Sequence, residues 1–250
     1  MNTKNAYMIF RGVHSADLGV CLRAAPTIGS TVRRTSAQTE IPGVDGKSYT
    51  YDGGYAAITI TVKLACTVYS DLSRIRRWLM DSGDLVFGDA PDRCYKNAAI
   101  TKDIKYQPAG TGRTGRIEFD VTFTADPFQQ QYGGGYMTMH DGMQIVNPGD
   151  FTAMPLMRIT AERSGDVRFV RDGVTQTIGV TGATEDLYID CTTGYAFTAA
   201  ADVDPFAYRD ALIRPEMVRG DLIRLEPGAY EVEVDPQIVS AIMLPRWRWA

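Results

Sequence analysis

The sequence predicts a mainly β protein of two domains, the first of which contains a single packed helix. Apolar and polar residues alternate along Ile58–Leu64 and along Ile117–Phe123, the period of strands with one buried face. Convincing helical spacing is confined to residues 71–80. Residues 1–135 carry 16 Lys/Arg and 13 Asp/Glu, whereas residues 136–250 carry 10 and 17. This change in charge balance favours two domains with different surfaces.

The first domain, assigned to residues 1–130, begins with a strand-like run over residues 7–13 and a turn before residues 18–22. A long polar arm follows at residues 31–56, where proline and glycine supply turn geometry. Because few large apolar residues occur in it, the arm is either a hairpin that reaches a neighbouring subunit or an ordinary surface loop. Composition leaves both alternatives open.

The predicted helix has apolar side chains at the spacing of one buried face, and we expect them to pack it on the sheet: Leu72, Ile75, Trp78 and Leu79. Ser70 or Asp71 can cap its first turn by accepting backbone N–H groups that have no helical partner. Gly83 ends the segment, since glycine accepts the left-handed conformation that follows a last helical turn. The short apolar run that comes next predicts a buried strand.

Three arginines on this helix, Arg74, Arg76 and Arg77, raise the question of nucleic-acid binding. Aspartates surround them, and neither half of the chain has the strong positive patch that tight binding needs. We therefore expect a solvated helix face or a contact between subunits. No sequence-specific nucleic acid is expected as a partner.

A polar, glycine-rich connector at residues 131–146 is predicted to separate the first domain from a second at residues 147–250. Short apolar runs in the second domain recur at roughly ten-residue intervals, as in a sandwich or barrel. Asp172–Gly173 is a two-residue hairpin signal. Residues 245–250 alternate Arg with Trp and form either an edge strand with one packed face or a docking tail. The predicted strands are Leu156–Thr160, Val167–Arg171, Val174–Val180, Leu187–Asp190, Leu222–Glu226, Tyr230–Val234 and Val239–Leu244.

The sequence contains no constellation typical of an enzyme, a metal site or a cofactor site. His14 and His140 lie outside any motif, and no nucleophile, phosphate-loop or dinucleotide signature is present. The four cysteines show no paired spacing, so we expect free thiols and a reducing cytoplasm. No apolar run approaches the ~18 residues of a membrane span, and the start shows no signal peptide. We expect no catalysis, no cofactor and no membrane partner.

A series of landmarks runs through the first domain. They are Phe10–Gly12, Ser15–Val20, Arg33–Arg34, Ile41–Gly46, Ile58–Leu64, Ile75–Leu79, Ser82–Leu85, Asp89–Tyr95 and Phe123–Phe128. In order and spacing they resemble the distal tail proteins of long-tailed phages, the siphophage tail-component family. In the second domain Asn147–Gly149 and Leu187–Asp190 resemble later landmarks of the same family more weakly.

The resemblance implies a ring-forming belt domain at residues 1–130 and a galectin-like β-sandwich at residues 147–250. It also implies a structural protein of the virion tail tip or baseplate, assembled in the host cytoplasm. A homohexameric ring of copies would join the tail tube protein to the tail-tip hub and the receptor-binding proteins. Together with the polar arm and the basic helix, it places the expected contacts between copies at Arg33, Arg34, Ile41, Pro42, Val44, Tyr49, Tyr51, Arg74 and Arg77.

The alternative function is a carbohydrate-binding module, in which the second domain attaches to sugars on the host surface. Sugar sites usually present an exposed aromatic ring beside polar groups. The aromatic candidates are Tyr188, Tyr195, Phe206 and Tyr208.

Overall fold

The computed structural model of the chain describes residues 6–39, 48–67, 70–110, 115–198, 212–213 and 215–250. For residues 35–39, 48–52, 212–213 and 215 it describes the backbone alone. The chain divides into two compact units, which meet in sequence between Tyr132 and Gly133. Each unit has its own hydrophobic core, and strands predominate in both, as the sequence predicts.

The first unit consists of short strands, two long strands and one α-helix. A 3₁₀ helix at Ser15–Leu18 follows the second strand. The elements in chain order are β1 (Met8–Phe10), β2 (Val13–His14), β3 (Val20–Leu22), β4 (Thr27–Ile28), β5 (Arg33–Thr39), β6 (Ser48–Tyr55), β7 (Ile58–Thr67), α1 (Leu72–Trp78), β8 (Gly83–Phe87), β9 (Arg93–Ile100), β10 (Gln107–Ala109), β11 (Arg116–Ala125) and β12 (Gln129–Gln131).

The main sheet of the first unit is built on the antiparallel pair β7 and β11. The two strands pair from Ile58 with Ala125 to Thr67 with Arg116, which is their full length. The strand order is β2-β1-β8-β9-β11-β7-β3, with β10 added to β11, β12 to β9 and β4 to β7. Alternate residues of β7 and β11 are buried, so the predicted one-sided strands are confirmed and their apolar faces form the core.

Residues 7–13, which read as one strand in the sequence, are a tight hairpin. Phe10 pairs with Val13, and the two residues between them, Arg11 and Gly12, have φ values of 54° and 74°. A two-residue turn with both central residues at positive φ matches the twist of antiparallel strands. Gly12 takes that conformation without strain. The turn places the side chain of Arg11 outside the sheet.

The polar arm is a hairpin of β5 and β6, and these two strands form a sheet of their own. Within the described backbone, Arg33 pairs with Tyr55 and Thr39 pairs with Ser48. The N–H of Ala56 donates to the carbonyl of Val32 at 2.9 Å and closes the base of the arm. The backbone of the arm is therefore a hairpin, as the first alternative requires, and its contact with a neighbouring subunit stays a prediction.

The second unit contains two antiparallel sheets. One has the strand order β13-β23-β15-β18-β19-β20 and the other β14-β22-β16-β17-β21, and side chains from both sheets meet in one core. A 3₁₀ helix at Pro215–Met217 precedes β21. The strands are β13 (Met137–Met139), β14 (Met143–Asn147), β15 (Leu156–Ala161), β16 (Gly165–Arg171), β17 (Val174–Val180), β18 (Thr184–Asp190), β19 (Tyr195–Thr198), β20 (Leu212–Ile213), β21 (Val218–Gly220), β22 (Gly228–Val234), β23 (Ile238–Leu244) and β24 (Arg248–Trp249).

Two assignments from the sequence differ from the structure. The expected connector, residues 131–146, instead supplies β13 and most of β14, which pair with β23 and β22. The expected strand Leu222–Glu226 is not a strand: Leu225 makes one isolated bridge, to Ala153, although its side chain is fully buried. The polar, glycine-rich composition of the connector conceals its pairing with distant strands, and the apolar pattern at residues 222–226 reports burial, which does not by itself determine backbone pairing.

Other local predictions for the second unit hold. Asp172 and Gly173 form a two-residue hairpin turn between β16 and β17, with φ values of 51° and 78°. At the C-terminus, Trp247 and Trp249 are 5% and 8% exposed and belong to the core, and Trp249 Nε1 donates to the carbonyl of Pro148 at 3.2 Å. This agrees with the packed alternative, and burial withdraws both indole rings from the alternative of a docking tail.

Candidate interaction surface of the first unit

Helix α1 is fixed at its start by Asp71, one of the two cap candidates. The Asp71 Oδ1 atom accepts hydrogen bonds from the backbone N–H groups of Ser73 at 2.9 Å and Arg74 at 3.1 Å. These groups lack helical partners, so the cap stabilises the first turn. The helix ends at Trp78, earlier than the predicted boundary, because Leu79 leaves helical geometry with ψ near 0°.

Trp78 anchors α1 on the sheet. Its side chain is 6% exposed, and its indole Nε1 donates to the carbonyl of Phe10 at 2.9 Å. The ring meets Phe10 edge-on at a centroid distance of 6.2 Å, and Phe10 in turn contacts Phe123 of β11. The expected core role of Trp78 is therefore confirmed, and the opposite side of the helix remains exposed to solvent.

The exposed side of α1 borders a cavity with a basic rim. We call it the arginine cavity; it measures about 430 Å³ and is lined by Arg11, Val13, Leu18, Arg74, Arg77 and Trp78. Arg74 and Arg77 are one helical turn apart and exposed, while Leu18 and Trp78 form an apolar floor. The cavity thus combines three guanidinium groups with apolar surface, an arrangement suited to an acidic protein segment.

Three aspartates near α1 are engaged in ways that leave two of these arginines without an ion pair. Asp71 caps the helix, and Asp84 accepts from Lys96 at 2.6 Å. Only Asp81 pairs with an arginine of the cavity, Arg11, at 2.9 Å. Among the described residues, Arg74 and Arg77 have no ion pair. The many aspartates near the helix in the sequence therefore do not neutralise these two arginines.

Arg76 lies on a different side of α1. Its guanidinium carbon is 5.0 Å from the ring centroid of Tyr106, a cation–π contact. The three arginines therefore do not form one stripe along the helix, which weakens any similarity to a nucleic-acid reader that tracks a phosphate backbone. The absence of sequence-specific nucleic-acid binding stays a prediction.

The predicted contact residues of the arm are only partly within the described structure. Arg33 and Arg34 lie at the start of β5 with exposed side chains, and the Arg34 guanidinium lies against Gly54 of β6. Tyr49 and Tyr51 lie on β6, where the backbone alone is described. The remaining three, Ile41, Pro42 and Val44, lie outside the described residues.

Of the predicted sugar-binding aromatics of the second unit, the structure describes Tyr188 on β18 and Tyr195 on the paired strand β19. Tyr188 is half-buried and stacks on Phe197 at a centroid distance of 5.4 Å, whereas Tyr195 is 54% exposed. Phe206 and Tyr208 lie outside the described residues. Of the two that are described, only Tyr195 presents a largely exposed ring.

Two buried cysteines of the described core have strongly perturbed thiols. Burial raises the pKa of the Cys94 and Cys191 thiols to about 11, which keeps both protonated and unreactive at neutral pH. No cluster of three or more His, Cys, Asp or Glu side chains suited to a metal ion occurs among the residues described. No helix found there is long and apolar enough to cross a membrane.

Arg11 and Val13 belong to the arginine cavity but were not among the residues expected at a contact surface. The hairpin turn brings them to α1, about 60 positions later in the sequence. Gly83 makes room for Arg11, since a Cβ atom at that position would lie 2.5 Å from the Cγ atom of Arg11. The Arg11–Gly12 dipeptide is the signal in the sequence, because glycine after a strand-like run indicates a turn.

Comparison with known proteins gives one kind of match. No protein-family model and no curated protein sequence matches the chain. Among solved structures it is similar to the SPP1 Dit (gp 19.1) protein, described as a paradigm of the hub adsorption apparatus in phages that infect Gram-positive bacteria. The TM-score is 0.58 at 18% sequence identity, over 95% of this chain and 96% of that one. The chain therefore has the fold of SPP1 Dit, in agreement with the resemblance of its sequence to distal tail proteins.

Proposed function

We propose that the chain is a structural, non-catalytic component of a phage tail tip, a distal tail protein that acts in the virion and assembles in the host cytoplasm. The observation that carries this proposal is the similarity of fold to an adsorption-apparatus hub protein along nearly the whole of both chains. A similarity of fold in one domain would be compatible with many functions. Similarity across two successive units leaves fewer functions that are compatible with both.

The specific role proposed is a homohexameric ring that joins the tail tube protein to the tail-tip hub and receptor-binding proteins. Two features of the first unit support it. The β5–β6 arm pairs only with itself in the described backbone, so its outer edges are available to a neighbouring copy. The arginine cavity adds a charged, concave surface on the exposed side of α1.

Light scattering coupled to size-exclusion chromatography tests the ring. At micromolar concentration we expect a species of six times the 27.5 kDa monomer mass, either alone or after addition of the tail tube and hub proteins. A protein that stays monomeric in every one of these mixtures would refute the ring.

A variant without the arm makes this test specific. Because Val32 and Ala56 are already joined by a backbone hydrogen bond, residues 33–55 can be replaced by an Asn-Gly turn at little cost to the sheet. We expect this variant to fold and to keep the β-sheet circular dichroism signal of its remaining strands. We also expect it to lose the ring. Rings formed equally well without the arm would show that the arm makes no essential contact.

The second candidate function, carbohydrate binding by the second unit, rests on the exposed ring of Tyr195. A glycan array probed with the full chain tests it, with Tyr195→Ala as the matched variant. Binding to a sugar that the variant loses would support this function. An array without signal for the full chain would remove it.

A further inference from the structure

The turn between β8 and β9 carries two aspartates in an exposed, fixed loop. Asp89 and Asp92 flank Ala90 and Pro91, and all but the half-buried Ala90 are exposed. The N–H of Ala90 donates to the carbonyl of Phe87 at 3.1 Å, which holds the loop in place. The side chain of Asp92 is 74% exposed, and the Nε atom of Arg93 lies 3.8 Å from its carboxylate. Among the residues described, Asp89 has no ion pair.

This acidic turn and the arginine cavity lie at the two ends of the same strand. At the start of β8, Gly83 contacts Arg11 of the cavity, and at its end Phe87 leads directly into the turn. With five residues at about 3.3 Å each, the strand separates the two by roughly 16 Å. One copy therefore presents a basic cavity and an acidic turn on separate parts of its surface, and neither can satisfy the other within the same chain.

We propose that the arginine cavity of one copy binds the Asp89–Asp92 turn of the next copy. The contact is head-to-tail, and head-to-tail contacts that repeat by rotation close into rings. The inference rests on the proposed ring function, and it adds which surfaces meet and by what chemistry.

The chemistry of the two surfaces is complementary. Arg74 and Arg77 offer planar donors that match carboxylates, and neither has an ion pair among the described residues. Between the two aspartates, Ala90 and Pro91 supply small apolar surface for the floor of the cavity. Protein is favoured over nucleic acid as the occupant, because the cavity is concave and apolar at its base, whereas phosphate chains need an extended basic track.

Charge reversal on each side provides the test, with size-exclusion light scattering as the measurement. One variant carries Arg74→Glu and Arg77→Glu, and the other carries Asp89→Lys and Asp92→Lys. Each alone brings like charges together at every contact, so we expect the self-dissociation constant of each to rise at least tenfold. In a one-to-one mixture, alternating copies present opposite charges again, and an even-numbered ring can close. We therefore expect the mixture to regain the wild-type mass.

Controls separate this result from misfolding and from general charge effects. All of the substituted side chains are exposed, so thermal unfolding should match the wild type. Arg163→Glu, an exposed reversal in the second unit, should leave assembly unchanged. The neutral variant with Arg74→Gln and Arg77→Gln should weaken assembly less than the reversal, and salt should weaken the wild-type contact.

The outcomes distinguish this contact from the ring itself. If the wild type assembles and both reversals assemble equally well, the cavity–turn contact is wrong and the ring function stands. The same holds if both reversals fail but their mixture does not recover. If the wild type never assembles, with or without tail partners, both proposals fail.

Discussion

Replacing Trp78 with alanine should destabilise the first unit by about 3–5 kcal/mol, the range for deleting a buried large aromatic side chain. The ring is 6% exposed, so nearly all of its surface returns to water or becomes a cavity when it is removed. A second contribution comes from the carbonyl of Phe10, which accepts from Trp78 Nε1 at 2.9 Å and loses that partner in a buried position. Such a loss by itself costs about 1–3 kcal/mol.

Trp78→Phe separates these two contributions, because phenylalanine keeps most of the apolar contact and lacks the N–H donor. We expect it to cost about 1–2 kcal/mol, clearly less than alanine. Met80→Ala is the matched surface control: its side chain is 76% exposed just after the helix, so the change should stay within about 0.5 kcal/mol.

Urea unfolding followed by circular dichroism measures these differences. Since the chain has two cores, the transition of the first unit should shift while that of the second stays in place. A loss below about 1 kcal/mol for Trp78→Ala would refute the reasoning, because it would mean that the indole contributes no more than a surface side chain.

Two further predictions concern titratable groups. Burial raises the pKa of the Cys94 and Cys191 thiols to about 11. A thiol reagent at pH 8 should therefore modify the exposed Cys21 first and reach Cys94 and Cys191 only after unfolding. Prompt reaction of these two thiols in the native protein would contradict their burial. The hydrogen bond from Arg168 holds the pKa of Asp235 below its ordinary value. The ionised carboxylate of Asp235 therefore stabilises the fold above the pKa of the unfolded chain, and this stabilisation disappears as the pH falls through the pKa of the folded protein. Asp235→Asn should therefore lower the urea midpoint at pH 7 and converge with the wild type near pH 2, and a gap that persists in acid would assign the effect to packing.

Long alternating runs in the sequence predict the structure well. Ile58–Leu64 and Ile117–Phe123 are the centres of β7 and β11, because one buried face imposes period-2 burial on each strand. The helix is also predicted nearly to the residue at its start, since Asp71 has a side chain suited to capping. Strand alternation and helix capping depend on residues that are close together in the sequence, so the sequence alone is enough to predict them.

Features that depend on distant partners are predicted less well. Ile223 and Leu225 are fully buried, yet no strand forms there, because apolar periodicity does not specify which backbone lies alongside. Residues 137–139 look like a flexible connector, yet they are a strand because β23 pairs with them. Short edge strands owe their pairing to the sheet they join, more than to their own composition.

The candidate surface shows the same division. Arg74 and Arg77 are expected contact residues because the helix spacing exposes them, and the structure places both at the arginine cavity. Arg11 comes to the same cavity through a hairpin turn, and the acidic turn lies one strand away, at Asp89. Neither relation is visible without the sheet that aligns β1 with β8.

The full-length pairing of β7 with β11 also constrains how the first unit comes into being. The two strands are adjacent in space, but α1, β8, β9 and β10 all lie between them in the chain. Closing so large a loop costs conformational entropy before the ladder repays it, so the rate of folding should be governed by this late, non-local step. A nascent chain that ends before residue 116 lacks β11 altogether, and the edge of β7 that pairs with β11 then has no partner strand. Until synthesis passes that point, the sheet of the first unit lacks its β7–β11 ladder, and its unpaired strand edges are open to aggregation.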